Sequence, residues 1–318
     1  MTLPDGYTVR PPTVADAPAI YRLIAAHNTK VVGSPNTTVD IITQGLTDLA
    51  FRPESDGWLV LDADGRPVNY GRVLHRTGSG VVGLSVYVPD TAASAWLFRT
   101  AVERARRIGA EQGLAEVTLE SVANREDQAF RTLLGDNGYE VYTTYYRMRV
   151  DHTGEPGSVE PGLRRGPVDE ADRRAAYEVM VRAFADQQGS AMRPYDEWVE
   201  SHERSRVFDW PQLLIVELDG RVAAVCDTDD RFVETDNCGF VPRLGVLPEF
   251  RGRGLAKRLL RSAFALDVEA GRTGTILFVD TNNPTPALGL YESVGMRPVE
   301  LVDVWHRPLS CPPGPSTS

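Results

Sequence analysis

A chain of 318 residues with 42% hydrophobic content is long enough for two globular domains of about 150 residues and has the apolar share of an ordinary globular protein. Its net charge of −10 argues against nucleic acid as a partner, because a phosphate backbone demands a basic surface. No apolar run is long enough to span a bilayer and no basic, hydrophobic leader opens the chain, so the expected location is cytoplasmic.

In chain order, the first half begins with Val9-Arg10-Pro11-Pro12-Thr13-Val14-Ala15-Asp16-Ala17 and continues with Trp58-Leu59-Val60-Leu61, which turns at Asp64-Gly65. The apolar run Val81 to Pro89 leads into Asp90-Thr91-Ala92-Ala93-Ser94-Ala95-Trp96, and Gly138-Tyr139 precedes a last strand. Residues 151–162 are rich in turn formers and lack periodicity, which predicts a linker. Beyond it, Leu163 to Asp172 echoes the opening segment, and Leu213 to Leu218, turning at Asp219-Gly220, echoes Trp58 to Leu61. The turns are offset by 219 − 64 = 155, and Gly295 follows Gly138 by 295 − 138 = 157. Near-constant offsets predict two copies of one domain, over 1–150 and 163–309, with a disordered tail at 310–318.

Leu244-Gly245-Val246-Leu247-Pro248-Glu249-Phe250-Arg251-Gly252-Arg253-Gly254-Leu255-Ala256-Lys257 carries the chemistry. A strand stops at Pro248, a glycine-punctuated basic loop follows, and a helix opens at about Leu255 with Leu255, Leu259, Ala263 and Leu266 close to one face. The first N–H groups of a helix have no intrahelical partner, and its dipole adds positive potential there. Gly252 and Gly254 permit close backbone approach to a phosphate, while Arg251 and Arg253 add charge. The spacing fits neither a Walker loop, which ends in Gly-Lys-Ser/Thr, nor a three-glycine dinucleotide fingerprint. Next come a short strand, Thr275 to Val279, the loop Asp280-Thr281-Asn282-Asn283-Pro284, and a helix bearing Ala287, Leu290, Tyr291 and Val294, closed by Gly295.

Arg251, Gly254 and Ala256 stand at the fixed places of Arg/Gln-x-x-Gly-x-Gly/Ala, and the chain resembles the GCN5-related N-acetyltransferase (GNAT) family. The resemblance implies an α/β (α+β) fold of two tandem GNAT-like domains. Each would be a mixed, mostly antiparallel sheet flanked by helices, with a splayed fourth and fifth strand pair. It implies acetyl-CoA as co-substrate, held by Leu244, Val246, Arg251, Gly252, Arg253, Gly254, Leu255, Ala256, Asn283 and Tyr291. By the same resemblance, Asn283 bonds the pantetheine arm, the Val246 N–H stabilises the oxyanion, and Tyr291 protonates the departing thiolate. The implied reaction is transfer of an acetyl group to a primary amine of a small molecule, by a monomer or homodimer. An acyl-CoA sensor without turnover, or a transferase of longer acyl groups, is the alternative.

The first copy has no glycine or arginine where Arg251 to Gly254 stand. It keeps Asn124 but carries Phe130 and Leu133 where the tyrosine is expected, so it reads as a degenerate, non-catalytic domain. This tandem plan resembles that of mycothiol synthase. The general base stays open among Asp227, Asp229, Glu234, Asp236 and Asp303. The family's acceptor walls fall on Phe184 to Trp198 and on Asp303-Val304-Trp305-His306, with Trp198, Trp210 and Trp305 as pocket candidates. The five histidines form no ligand-spaced pair, so no metal is expected, and Cys226, Cys238 and Cys311 show neither metal nor disulfide spacing.

Overall fold

A computed structural model of the chain describes residues 3–75, 80–87, 91–152, 162–166, 169–185, 192–282 and 287–312. Two compact units emerge: unit 1 comprises two separate stretches, Met1–Thr144 and Leu301–Ser318, and unit 2 the stretch between them, Tyr145–Glu300.

The elements begin with β1 (Thr8–Arg10), α1 (Ala17–Val32), α2 (Val39–Leu46), a single turn α3 (Pro53–Asp56), β2 (Gly57–Leu61), β3 (Pro67–His75) and β4 (Val81–Tyr87). Then follow α4 (Thr91–Glu111), β5 (Glu116–Asn124), α5 (Gln128–Asp136) and β6 (Glu140–Asp151). The second series runs β7 (Leu163–Arg165), α6 (Glu170–Ala183), α7 (Tyr195–Glu203), β8 (Leu213–Leu218), β9 (Arg221–Asp229) and a turn α8 (Val233–Asp236). It ends with β10 (Cys238–Val246), α9 (Leu255–Glu269), β11 (Gly274–Asp280), α10 (Ala287–Glu292) and β12 (Arg297–Ser310).

The duplication read from sequence offsets is visible in the strand pairing. Unit 1 has the order β1-β2-β3-β4-β5-β12, antiparallel except for the β4/β5 pair. In unit 2 the order is β7-β8-β9-β10-β11-β6, antiparallel except for β10/β11. Each parallel pair is joined by a long helix, as parallel neighbours require a crossover. Those helices bury one face: Leu97, Phe98, Ala101 and Ala105 in α4, Leu255, Leu259, Leu260 and Ala263 in α9.

The last strand of each sheet comes from the other sequence copy. Tyr145 to Asp151 of β6 pair antiparallel with β11, from Tyr145↔Asp280 to Asp151↔Gly274. Val302 to Ser310 of β12 pair with β5, from Val302↔Asn124 to Ser310↔Glu116. Met148 is fully buried in the core of unit 2, and Trp305 and Leu309 are buried in that of unit 1. Burying one such side chain is worth roughly 1.5–3 kcal/mol. The boundaries 1–150 and 163–309 are therefore corrected: 145–150 complete unit 2 and 301–309 complete unit 1. Tyr146, Met148 and Val150 alternate with polar residues along β6, whereas β12 sets Val304 and Trp305 side by side, and neither pattern says which strand its bearer joins. Most of the expected linker, 153–161, and of the expected tail, 313–318, lies outside the described residues.

Candidate active site

The glycine loop leaves β10 at Val246 and reaches α9 at Leu255. A 3-10 turn over Pro248–Phe250 buries Phe250, and Arg251 follows in extended backbone. Gly252 and Gly254 then adopt φ of 75° and 76°, in the left-handed region that side chains with a Cβ disfavour. The space above both is open: a Cβ built on either would meet nothing within 4 Å. Whereas α6 starts with Asp169 accepting the N–H of Asp172 at 2.9 Å, α9 starts at Gly254 with no side-chain cap. Its first N–H groups are left to a ligand or to water.

The two arginines of the loop are tethered. Arg251 donates through Nη2 to the carbonyl of Ala183 at 3.2 Å and through Nε to that of Val246 at 3.4 Å, tying the loop to α6 and to the end of β10. Arg253 lies 3.8 Å from Asp219, with its guanidinium 5.3 Å from the centre of the Phe250 ring. Arg251 thus shapes the cradle through carbonyl contacts, and Arg253 remains half-exposed at its rim.

Beside the loop, β10 and β11 part. They pair only from Cys238↔Gly274 to Val241↔Leu277, and the β10/β9 register slips between Phe240 and Arg243. A slip of this kind bends a strand away from its neighbour. Phe278 to Asp280 then pair with β6 alone, and Arg243 to Val246 with β9 alone. Leu247 donates its N–H to Ala223 of β9 at 3.0 Å. Consecutive strand residues point their N–H groups to opposite edges. Val246, and Leu244 before it, therefore turn their N–H groups away from β9, into the cleft.

Tyr291 stands on α10, part-buried against the core of unit 2. Burial, with the Cys226 thiol nearby, pushes its phenol up to about 12. Cys226 is the ladder partner of Leu244, which sets Tyr291 close to the strand segment that ends at Val246. Cys226 itself is fully buried, and burial drives its thiol well above the ordinary range, which suits a small apolar filler and not a nucleophile. Asn283 lies outside the described residues.

Geometry separates the acidic candidates. Glu234 is exposed, and Asp236 accepts from Arg147 at 3.0 Å. Asp229 accepts the N–H of Arg231 at 2.9 Å, and burial pushes its carboxyl up to about 6. Asp303 belongs to unit 1, where Arg125, Arg131 and Thr144 bind it. Burial pushes its carboxyl up, but these partners outweigh that and hold it below the usual range. Trp305 and His306 go with it: Trp305 is core, and His306 stacks on Tyr142 at 4.0 Å. The expected acceptor wall at 303–306 is thus not part of unit 2, because β12 crosses to β5.

Asp227 remains. It faces Arg243 across the β9/β10 ladder, is buried, and keeps Oδ1 without a hydrogen bond. Its Oδ2 is 4.0 Å from Nε2 of His202. Burial pushes the carboxyl up, opposed by His202 and Arg243. Nδ1 of His202 is 2.8 Å from the carbonyl of Trp198, which makes Nδ1 the donor and turns Nε2 to Asp227. The rings of Trp198 and Phe208 lie 4.5 Å away and that of Trp210 5.4 Å away. Trp198, 2% exposed, is core and no pocket wall. His202 was missed in the sequence because its partner is 25 positions away on another element, and no local spacing marks such a pair.

The acetyltransferase (GNAT) family model matches residues 176–296, the stretch from α6 to just past α10 that holds the cradle, the cleft and Tyr291. This part of the chain belongs to the GNAT family. A GCN5-related N-acetyltransferase from Sphaerobacter thermophilus is 26% identical, with 100% of both chains covered and a TM-score of 0.78. A tandem GNAT protein from the clavulanic acid biosynthesis pathway, 16% identical, shares the fold, with 98% of this chain and 99% of that one covered and a TM-score of 0.67. A putative ribosomal protein bS18-alanine N-acetyltransferase of Bacillus subtilis is 34% identical over 85 residues, which is 27% of this chain. The match spans about half, 53%, of that relative's length. Among the described residues, no helix is long and apolar enough to cross a membrane.

Proposed function

We propose that unit 2 is an acyl-CoA-dependent N-acetyltransferase acting on a primary amine of a small molecule. The observation that carries this reading is the unpaired edge of β10: the Val246 N–H opens into a cleft that leads to an uncapped helix start. A diphosphate fits the N–H groups from Gly252 to Ala256, with Arg253 adding charge at the rim. The pantetheine arm extends along Leu244 to Val246, with Asn283 as its side-chain partner. An acetyl group is the acyl group proposed.

The Val246 N–H stabilises the negative charge that develops on the thioester oxygen as the amine attacks. The carbon–sulfur bond then breaks, and the thiolate departs. Tyr291 meets that sulfur with its hydroxyl. A phenol near 12 is a weaker acid than a free thiol near 8.5. Tyr291 therefore acts chiefly by donating a hydrogen bond to the thiolate, and solvent completes the protonation. The amine must first lose a proton. Asp227 accepts it through water at its open Oδ1, with His202 beside Oδ2; Arg243, opposite Asp227, is three residues from Val246 and roughly 10 Å along the strand.

Unit 1 lacks the glycine loop and is proposed to bind no acyl-CoA, so calorimetry is expected to give one acetyl-CoA per chain. A thiol-release screen of acetyl-CoA against polyamines, aminoglycosides, amino acids, amino sugars and a peptide with N-terminal alanine tests the reaction. Release with a small amine supports the proposal, release with the peptide alone replaces the acceptor class, and none above background leaves a binding protein. Asp227→Asn is expected to lower turnover and to remove the acidic limb of the pH profile; an unchanged limb excludes Asp227 as base.

A further inference from the structure

Unit 1 carries a cavity of about 210 Å³ between α1, α2 and the ends of β3 and β4. We propose that it is a second binding site, independent of the acyl-CoA site, for a small carboxylic acid with a flat apolar body.

One wall is apolar, formed by Ile24 of α1 and by Ile41 and Ile42 of α2. Opposite, β3 presents Tyr70 and Arg72, two residues apart and hence on one face of the strand. Arg72 donates through Nη1 to the carbonyl of Gly45 at 3.0 Å, while its Nε is buried without a hydrogen bond. Among the described residues no carboxylate forms a salt bridge with it; Tyr87 and Tyr70 nearby, and Asp48 after them, favour its charge against burial. A guanidinium cannot shed its proton, and this one is held by the Gly45 carbonyl, the Tyr70 hydroxyl and the Phe51 ring 6.0 Å away, with no anion bound to it among the described residues.

The hydroxyl of Tyr70 lies beside it. The residue is 3% exposed, and its buried oxygen turns its lone pairs to the Arg72 guanidinium, which leaves its own O–H without an acceptor. Its ring is held by parallel stacking on Tyr87 at 5.8 Å, so the hydroxyl is fixed in place. Asn36, in left-handed backbone with φ of 49°, adds a buried Oδ1 without a partner.

Three polar groups with bonding capacity to spare thus line one cavity: the Arg72 Nε–H and the Tyr70 O–H as donors side by side, and the Asn36 Oδ1 as acceptor. The two donors suit an oxyanion, and the planar fork of an arginine matches a carboxylate in particular. The acceptor suits a hydroxyl or amino group elsewhere on the same molecule. Size narrows the class further. A cavity of about 150 Å³ holds benzene, so 210 Å³ fits one substituted ring or an amino acid of similar bulk. Three isoleucines disfavour inorganic phosphate, which would leave them facing a charge.

The test uses the full chain with 4-hydroxybenzoate and benzoate as probes, and with benzamide and inorganic phosphate as controls, read by ligand-observed NMR and calorimetry. Saturable binding of one carboxylate per chain is expected, with benzamide and phosphate at least tenfold weaker. Arg72→Met should weaken the carboxylate tenfold or more. Tyr70→Phe, which removes one oxygen, should weaken it several-fold while the chain stays folded. Gly45→Ala is a further variant that keeps the charge: its Cβ would fall 2.6 Å from Nη1 of Arg72 and displace the guanidinium. Gly254→Val in unit 2 should leave this binding unchanged. The proposal is overturned if neither carboxylate saturates, if phosphate or benzamide binds equally well, or if Tyr70→Phe and Gly45→Ala bind as the parent does.

Discussion

The chemistry assigned to Tyr291 depends on where burial puts its proton. With the phenol near 12, the hydroxyl stays protonated across the range in which an amine acceptor is assayed. Tyr291→Phe keeps the ring that packs on the core and removes only the donor. Turnover is expected to fall at the low end of the roughly hundred- to ten-thousand-fold worth of acid catalysis, or somewhat below it, because the transfer is partial. Acetyl-CoA affinity and melting temperature should barely change. Unchanged turnover with a lowered melting temperature would make Tyr291 a packing residue only.

Asp267 of α9 shows the same physics acting on stability. It is 5% exposed, bonds Thr275 and Arg272, and has its carboxyl pushed up to about 6, mainly by burial. A carboxyl raised in the folded state contributes stability below its unfolded value near 3.9, and that contribution is lost as pH rises through about 6. Asp267→Asn has nothing to ionise. Relative to the parent, its unfolding free energy should therefore rise between pH 4 and pH 7.5, by up to about 3 kcal/mol. Denaturant titrations of both proteins across that range check the sign, and a flat difference would mean that Asp267 titrates normally.

At the scale of elements, the loop before α9 joins two backbone requirements, left-handed φ and open space, at Gly254. Gly254→Val imposes a β-branched residue on that conformation, costing about 1–3 kcal/mol, and sets its methyls where a phosphate would lie. Gly220, in the β8/β9 turn, has φ of 72° and equally open surroundings. Gly220→Val is therefore matched in strain but away from the cradle. Both variants should melt earlier, whereas only Gly254→Val should lose acetyl-CoA affinity, by tenfold or more in calorimetry. Equal affinities in the two would move the diphosphate site elsewhere.

Across the whole molecule, the crossing of terminal strands makes each unit depend on both sequence copies. Deleting Leu301–Ser318 removes the strand beside β5 and takes Trp305 and Leu309 out of the core of unit 1. Unit 2, whose outer strand is Tyr145 to Asp151, keeps its whole sheet. Hydrogen exchange on the truncated chain is expected to show lost protection along Glu116–Asn124, with protection retained along Leu213–Leu218 and Arg221–Asp229. Loss confined to unit 2 would contradict this assignment of the strands.

Local features of the sequence determined much of this protein. The glycines of the loop, the apolar face of α9, the strand over 274–280 and the repeat offsets each rest on backbone geometry or short-range periodicity, which neighbouring residues fix among themselves. The family resemblance followed from the same local spacing. Tertiary structure decided the rest. The apolar residues along 145–151 and 301–310 fit either sheet, so only packing of Met148 and Trp305 selects the partner strand, and with it the place of Asp303. The pairing of His202 with Asp227 and the convergence of Asn36, Tyr70 and Arg72 on one cavity join residues from different elements. Such contacts depend on how helices and strands stack, and no spacing within a single segment encodes them.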